Sequence, residues 1–205
     1  MKYAYSSAVV SAILLAAAAG CSTDGGSKPM QPSGAWQLNN QASELRFVTT
    51  KNTNFSEVQQ FKRLTGEVGA NGAIKLVIDL ASVETLVPLR NERLQTMLFE
   101  VARFPSAAFE GKVDMALIGS LAPGASVDVE VAGQLSIHGQ TKPTNAAVRV
   151  VKLRGDQLLV TTRAPILVSA DQFDLTAGIE KLRDIMGLPN IVGTVPVNFA
   201  LVFQP

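Results

Sequence analysis

The chain has 205 residues, 18 of them basic and 17 acidic, for a formal net charge of +1, and hydrophobic residues make up 47% of it. This near-balance, with no clustered basic run, excludes the electrostatic footprint of a nucleic-acid binder. One cysteine and one histidine exclude an internal disulfide and leave too few ligands for a structural zinc site, which takes about four. No cofactor is expected, because the chain has neither a Walker-type loop nor a Gly-x-Gly-x-x-Gly run.

Met1–Gly20 reads as a secretory signal. Lys2 supplies a thin positive region and Ala8–Ala19 an apolar run closed by small residues. That run is shorter than the roughly 20 apolar residues of a membrane-spanning helix. Ala18-Ala19-Gly20-Cys21 resembles the lipobox of bacterial lipoproteins, with Ala18 where Leu is usual. Cys21 is therefore expected to be lipidated and to tie the chain to a membrane facing the periplasm, since acyl chains contribute about 0.8 kcal/mol per buried CH₂. The alternative is a free thiol behind an ordinary signal. Ser22, standing where Asp would resemble an inner-membrane retention signal, favours the outer membrane. Ser22–Gly34, rich in Ser, Gly and Pro, has the composition of a flexible tether.

From Ala35 to Pro205 one all-β domain is expected. Leu45, Phe47 and Thr49 alternate with Arg46 and Val48; Ile74, Leu76 and Ile78 alternate with Lys75, Val77 and Asp79. Val127, Val129 and Val131 alternate with Asp128, Glu130 and Ala132, and Leu135 and Ile137 continue that face beyond Gly133. Period two is the mark of an antiparallel strand with one buried face, and Gly133 marks a bulge or bend. His138-Gly139-Gln140 and Arg154-Gly155-Asp156 read as turns. Val195–Phe203 is a long final strand with Pro196 near its start, where a missing donor does least harm. Two segments break the pattern. Glu84–Phe99 carries Leu86, Leu89, Arg93 and Met97 near helical spacing, and Thr176–Met186 carries Ile179, Leu182 and Ile185, stopped by Gly187 and Pro189. Together these predict a closed or nearly closed antiparallel barrel with two short helical excursions.

Several motifs in order resemble the YceI-like family. Trp36, Ser43 and Phe47 are similar to its opening strand. Ile78–Thr85 with Arg90, Leu94, Phe99, Phe104-Pro105 and Phe109 resembles its central signature, and Gly133–Pro143 its hairpin. Asn52-Thr53-Asn54 and Asp171–Asn190 depart from the common pattern. The resemblance implies an extended lipocalin-like barrel around an elongated cavity, and a long-chain isoprenoid or acyl lipid as ligand. A second copy of the chain, in a homodimer, is a partner on which the patterning is silent.

The residues expected to line such a cavity are the apolar members of alternating strands: Phe47, Val127, Val129, Leu135, Ile137, Val148, Val150, Val197, Phe199 and Leu201. Alternation alone would equally make them packed core. Arg90 and Arg93 are the candidates for a polar mouth, because a guanidinium grips phosphate or carboxylate bidentately; the competing role is a solvated helix face or a pairing with Glu84 or Glu92. Catalysis is not expected. His138 falls in a turn, and no Gly-x-Ser-x-Gly elbow is present. The alternatives are an interaction lipoprotein with a packed interior, and an enzyme acting on a lipid or quinone precursor.

Overall fold

A computed structural model describes residues 34–205. The signal, Cys21 and all of the tether before Gly34 lie outside the described residues.

The described chain forms twelve strands in one antiparallel sheet. β1 (Gly34–Leu38) and β2 (Glu44–Lys51) are two halves of one stave, split by a 3-10 turn at Asn40–Ala42. β3 (Phe55–Phe61) and β4 (Leu64–Gly69) return as the second stave, β3 pairing with β2 and β4 with β1. The third stave is β5 (Ala73–Asp79) with β6 (Val83–Glu84). Next come β7 (Ser106–Lys112), β8 (Ser126–Ile137) and β9 (Gln140–Lys152), each paired with the stave before it. β10 (Leu158–Thr162) and β11 (Ile166–Ser169) make the seventh stave, and β12 (Thr194–Gln204) the eighth. β12 pairs back onto β1 and β2 and closes the ring. Every stave neighbours its predecessor in sequence, which is the up-and-down barrel, a closure that removes the exposed edges of an open sheet.

This topology sorts the connections between two ends. At the upper end lie the Asn52–Asn54 turn, the excursion between β6 and β7, the His138-Gly139 turn, and the link between β11 and β12. At the lower end lie Gly34, the Ala70–Gly72 turn, α2 (Met115–Gly119) and the Leu153–Gln157 turn. Of the three α-helices among the described residues, two cap the upper end. α1 (Pro88–Arg93) opens on Pro88, whose fixed φ suits the first helical turn, and runs into a π-helical turn at Leu94–Leu98, closed by Phe99 N–H donating to Leu94 O at 2.9 Å. α3 (Thr176–Met186) ends on Gly187 at φ +61°, a left-handed cap that glycine takes without strain. α3 packs against the π turn at Gly178, where a Cβ would sit 2.7 Å from Met97 O and 2.9 Å from Leu98 Cα.

Two expectations are corrected. Gly133 marks no bulge: β8 keeps its register through it, facing Gly111 on β7 and Thr144 on β9. Its missing side chain instead makes room for the Phe109 ring, which a Cβ would strike. The first excursion is helical over Pro88–Leu98 only. Glu84 belongs to β6, and Leu86, at φ +62°, has a left-handed backbone before the helix begins. The second excursion, Thr176–Met186, has the bounds expected of it. The β8–β9 hairpin turns on His138 (φ +50°) and Gly139 (φ +78°), the two successive positive φ values that match the twist of paired strands.

Candidate functional site

The barrel interior is hollow. A cavity of about 450 Å³ runs along it, lined from below by Phe203, Leu158, Val113 and Ile118 and from above by residues of α1, the π turn and α3. That volume falls within the roughly 300–1,000 Å³ of ligand pockets. The cavity arises because the inward face carries medium-sized side chains: on β9 the successive inward residues are Thr144, Ala146, Val148 and Val150. Larger rings gather on one wall, with Phe47 stacked on Phe61 at 5.2 Å between centroids and Phe61 tilted on Phe99 at 5.8 Å.

Phe47, Leu135, Ile137, Val148, Val150, Val197, Phe199 and Leu201 all line this cavity, and so do Arg90 and Arg93. Val127 and Val129 do not. They share the inward face of β8 and pair with Val150 and Val148, yet they pack against the core rather than border the open space. β7 has ended at Lys112 beside this half of β8, where α2 and its loops take over.

The lower end is sealed. Lys152, on the inward face of β9 and almost fully buried, places Nζ 3.0 Å from Asp156 Oδ1 and 5.7 Å from the Trp36 ring centre. Trp36 Nε1 in turn donates to Asp156 O at 2.9 Å. The upper end is open. Among the lining residues only Val87, Leu89 and Val192 are exposed, and all three sit around the tip of β2 and the start of α1.

Polar lining gathers at this upper end. On facing strands β2 and β3 the inward pairs run, from deep to shallow, Leu45–Phe61, Phe47–Gln59, Thr49–Glu57 and Lys51–Phe55. The wall thus changes from apolar to polar toward the mouth. Glu57 Oε2 accepts from Arg90 Nη1 at 2.7 Å and lies 2.9 Å from Lys51 Nζ. Burial raises the Glu57 carboxyl, but the hydrogen bonds and charges of Lys51 and Arg90 outweigh it and hold the group below the ordinary carboxylate range. Arg90 Nη2 donates to Thr85 O at 2.6 Å, and its buried Nε has no partner among the described residues. Gln59 is 3% exposed and its Oε1 is likewise unpartnered. Arg93, half-buried beside them, makes no ion pair with any described residue. Arg90 therefore pairs with neither Glu84 nor Glu92, as its neighbours in sequence suggested. Its partner is 33 residues away across the barrel.

Glu57, Gln59 and Lys51 were missed by alternation, and the reason is local. In β3 the apolar Val58 points outward and is 64% exposed, while Glu57 and Gln59 point in. The usable signal was the pair of rings at Phe55 and Phe61, which share the parity of Glu57 and Gln59. His138 does not border the cavity. Its ring packs on Phe104 at 4.3 Å, and Nε2 stands 3.9 Å from Glu100 Oε1, too far for a hydrogen bond.

A solved polyisoprenoid binding domain from Saccharophagus degradans, implicated in plant cell wall breakdown, is 36% identical over 83% of this chain and 98% of its own, with a TM-score of 0.81. BcnA from Burkholderia cenocepacia has the same fold at 20% identity, covering 80% of this chain and 98% of its own, with a TM-score of 0.64. No curated protein matches the chain. The model of the YceI-like domain matches residues 36–203, nearly the whole of the barrel, and the chain belongs to that family.

Proposed function

We propose that this chain is an envelope lipoprotein, acylated at Cys21 and held on the periplasmic side of a membrane, the outer membrane for preference, whose barrel binds or carries an amphiphilic lipid with a polyisoprenoid or fatty-acyl chain. The observation that carries the reading is the apolar cavity of about 450 Å³ with polar groups gathered at its open end. Such a tube stabilises a chain by apolar burial at roughly 25 cal/mol per Å² before the costs of association. The polar mouth holds the headgroup. The name of the Saccharophagus degradans domain supports this ligand class. The hollow interior counts against an interaction lipoprotein with a packed barrel. The role proposed is binding rather than catalysis: His138 lies outside the cavity lining, and the mouth carboxylate Glu57 is already engaged by two cations.

One experiment reads both halves of the proposal. The chain is extracted from membranes of its own host and analysed by native mass spectrometry, then by peptide mapping. The expected result is a co-purified long-chain lipid and an N-terminal peptide that begins at Cys21 with acyl mass added. Repeated recovery of empty protein sinks the cargo; an unmodified Cys21 sinks the anchor.

A further inference from the structure

The mouth of the cavity wears an apolar collar. Leu86 is 87% exposed, Leu89 54%, Phe55 53%, Val87 45% and Val192 39%. Val58, Leu117, Leu167 and Ile185 are the other large apolar side chains exposed among the described residues, each on a different element, whereas a group of them gathered around one opening marks a site of contact. The collar comes from three separate places in the chain. The tip of the β2–β3 hairpin supplies Phe55, the approach to α1 supplies Leu86, Val87 and Leu89, and the link into β12 supplies Val192. These are held side by side by backbone bonds. Val192 N–H donates to Thr50 O at 2.8 Å and Asn52 N–H to Asn190 O at 3.2 Å, and the Lys51–Glu57–Arg90 bridge ties the hairpin to α1. Leu86 is held out by design of the backbone: its φ of +62° is unusual for leucine, and its N–H is fixed on Glu84 Oε1 at 2.7 Å.

Just inside the collar stand Lys51, Arg90 and Arg93 against the single inward carboxylate Glu57, a local surplus of positive charge. Glu92, the acid next along α1, is exposed and does not border the cavity. Apolar side chains outside and cations just behind them are the layout of a surface that enters a lipid headgroup region, where the former are buried and the latter meet phosphate. Val87, Leu89 and Val192 belong to both collar and cavity wall, so apolar side chains lead inward beside the cations.

We infer that the collar of Phe55, Leu86, Val87, Leu89 and Val192 docks on the surface of an anionic phospholipid leaflet, with the cavity mouth facing the lipid. The inference rests on the lipid-binding reading of the cavity. It also sets an orientation, because the described chain enters the barrel at Gly34, at the opposite end. The docked leaflet is the one from which a chain passes into the barrel without crossing water.

The test uses the full chain with Cys21→Ser, which removes its only cysteine, and a new cysteine carrying the environment-sensitive fluorophore NBD. Leu86→Cys places the label on the collar and Leu117→Cys on α2 at the other end, where the native residue is 43% exposed. The probes are phosphatidylcholine vesicles with and without phosphatidylglycerol. The apolar N-terminal run can reach a bilayer by itself, so the position of the label is the readout. The expected result is a blue shift at position 86 and none at 117, stronger with phosphatidylglycerol. Arg93→Gln should weaken it about fivefold, the effect of one basic residue at an anionic surface. Leu89→Asp, added to the chain labelled at position 86, should diminish the shift there with the same vesicles. Equal shifts at both positions, or none at 86, overturn the docking. A shift at 86 that appears without vesicles and grows with protein concentration assigns the collar to a second copy and overturns it too. Co-purified lipid without insertion at 86 removes only the docking surface; insertion at 86 with an empty cavity removes the cargo and leaves the docking.

Discussion

Arg90 commits its guanidinium to the protein itself, one nitrogen to the Glu57 carboxylate and another to the Thr85 carbonyl. A headgroup reaching this end of the cavity meets a partly neutralised pair, with Arg93 as the cation lacking a carboxylate. Glu57 thus tunes what the mouth accepts. Glu57→Gln keeps the size of the side chain and removes the charge that balances Lys51 and Arg90. Breaking a fully buried pair costs about 3–5 kcal/mol; this pair is half-open to solvent, and about 1–2 kcal/mol is expected by chemical denaturation. Displacement of a fluorescent lipid should show a shift in preference toward a fatty acid over the fatty alcohol of equal length. An unchanged ratio would mean that the headgroup does not reach Glu57. The residue was hidden from period-two reading because β3 carries its polar side chains inward. Strands obey the in-out rule only where the interior is uniformly apolar, and at a binding mouth it is not.

The segment from β6 through the π turn is an element whose shape depends on a small polar network. Glu84 accepts from Lys62 Nζ at 2.6 Å, from Asn91 Nδ2 at 3.0 Å and from the Leu86 N–H at 2.7 Å. Asn91 Oδ1 in turn accepts from the Thr85 N–H and hydroxyl at 2.9 and 2.6 Å. Lys62, Asn91 and the Leu86 N–H, in that order of strength, pull the Glu84 carboxyl down to about 2. A carboxyl lowered by folding adds stability above its ordinary range and loses it as pH falls through its folded value. The thermal midpoint should therefore decline between about pH 5 and pH 2, and Glu84→Gln should flatten part of that decline. Parallel slopes for the two proteins would show that the network does not hold the segment. Helical spacing placed an excursion here correctly. It could not show where the helix starts, because the carboxylate that pins Leu86 in its left-handed conformation already belongs to a strand.

At the scale of the whole molecule, eight staves close a ring whose inward side chains fall short of filling it. Filling it from within separates ligand binding from folding. Val148 faces the cavity at mid-barrel, and Val148→Trp should abolish lipid retention while costing no more than the ~1–3 kcal/mol of ordinary overpacking, since the added ring enters open space. Denaturation and mass spectrometry of the same preparation check it; retained lipid would mean that the ligand lies elsewhere. Period-two alternation, the turns at His138-Gly139 and Arg154–Asp156, and the glycine stop after Met186 determined by themselves that this is an antiparallel β domain with two helical insertions, because each depends on residues near one another in the chain. The ordered motifs were enough to suggest the family. Only the tertiary structure decided that the interior is hollow, that Val127 and Val129 stand away from the hollow, and that Glu57 rather than Glu84 or Glu92 meets Arg90. Volume and long-range pairing are set by how staves close on each other, and no local pattern carries that information.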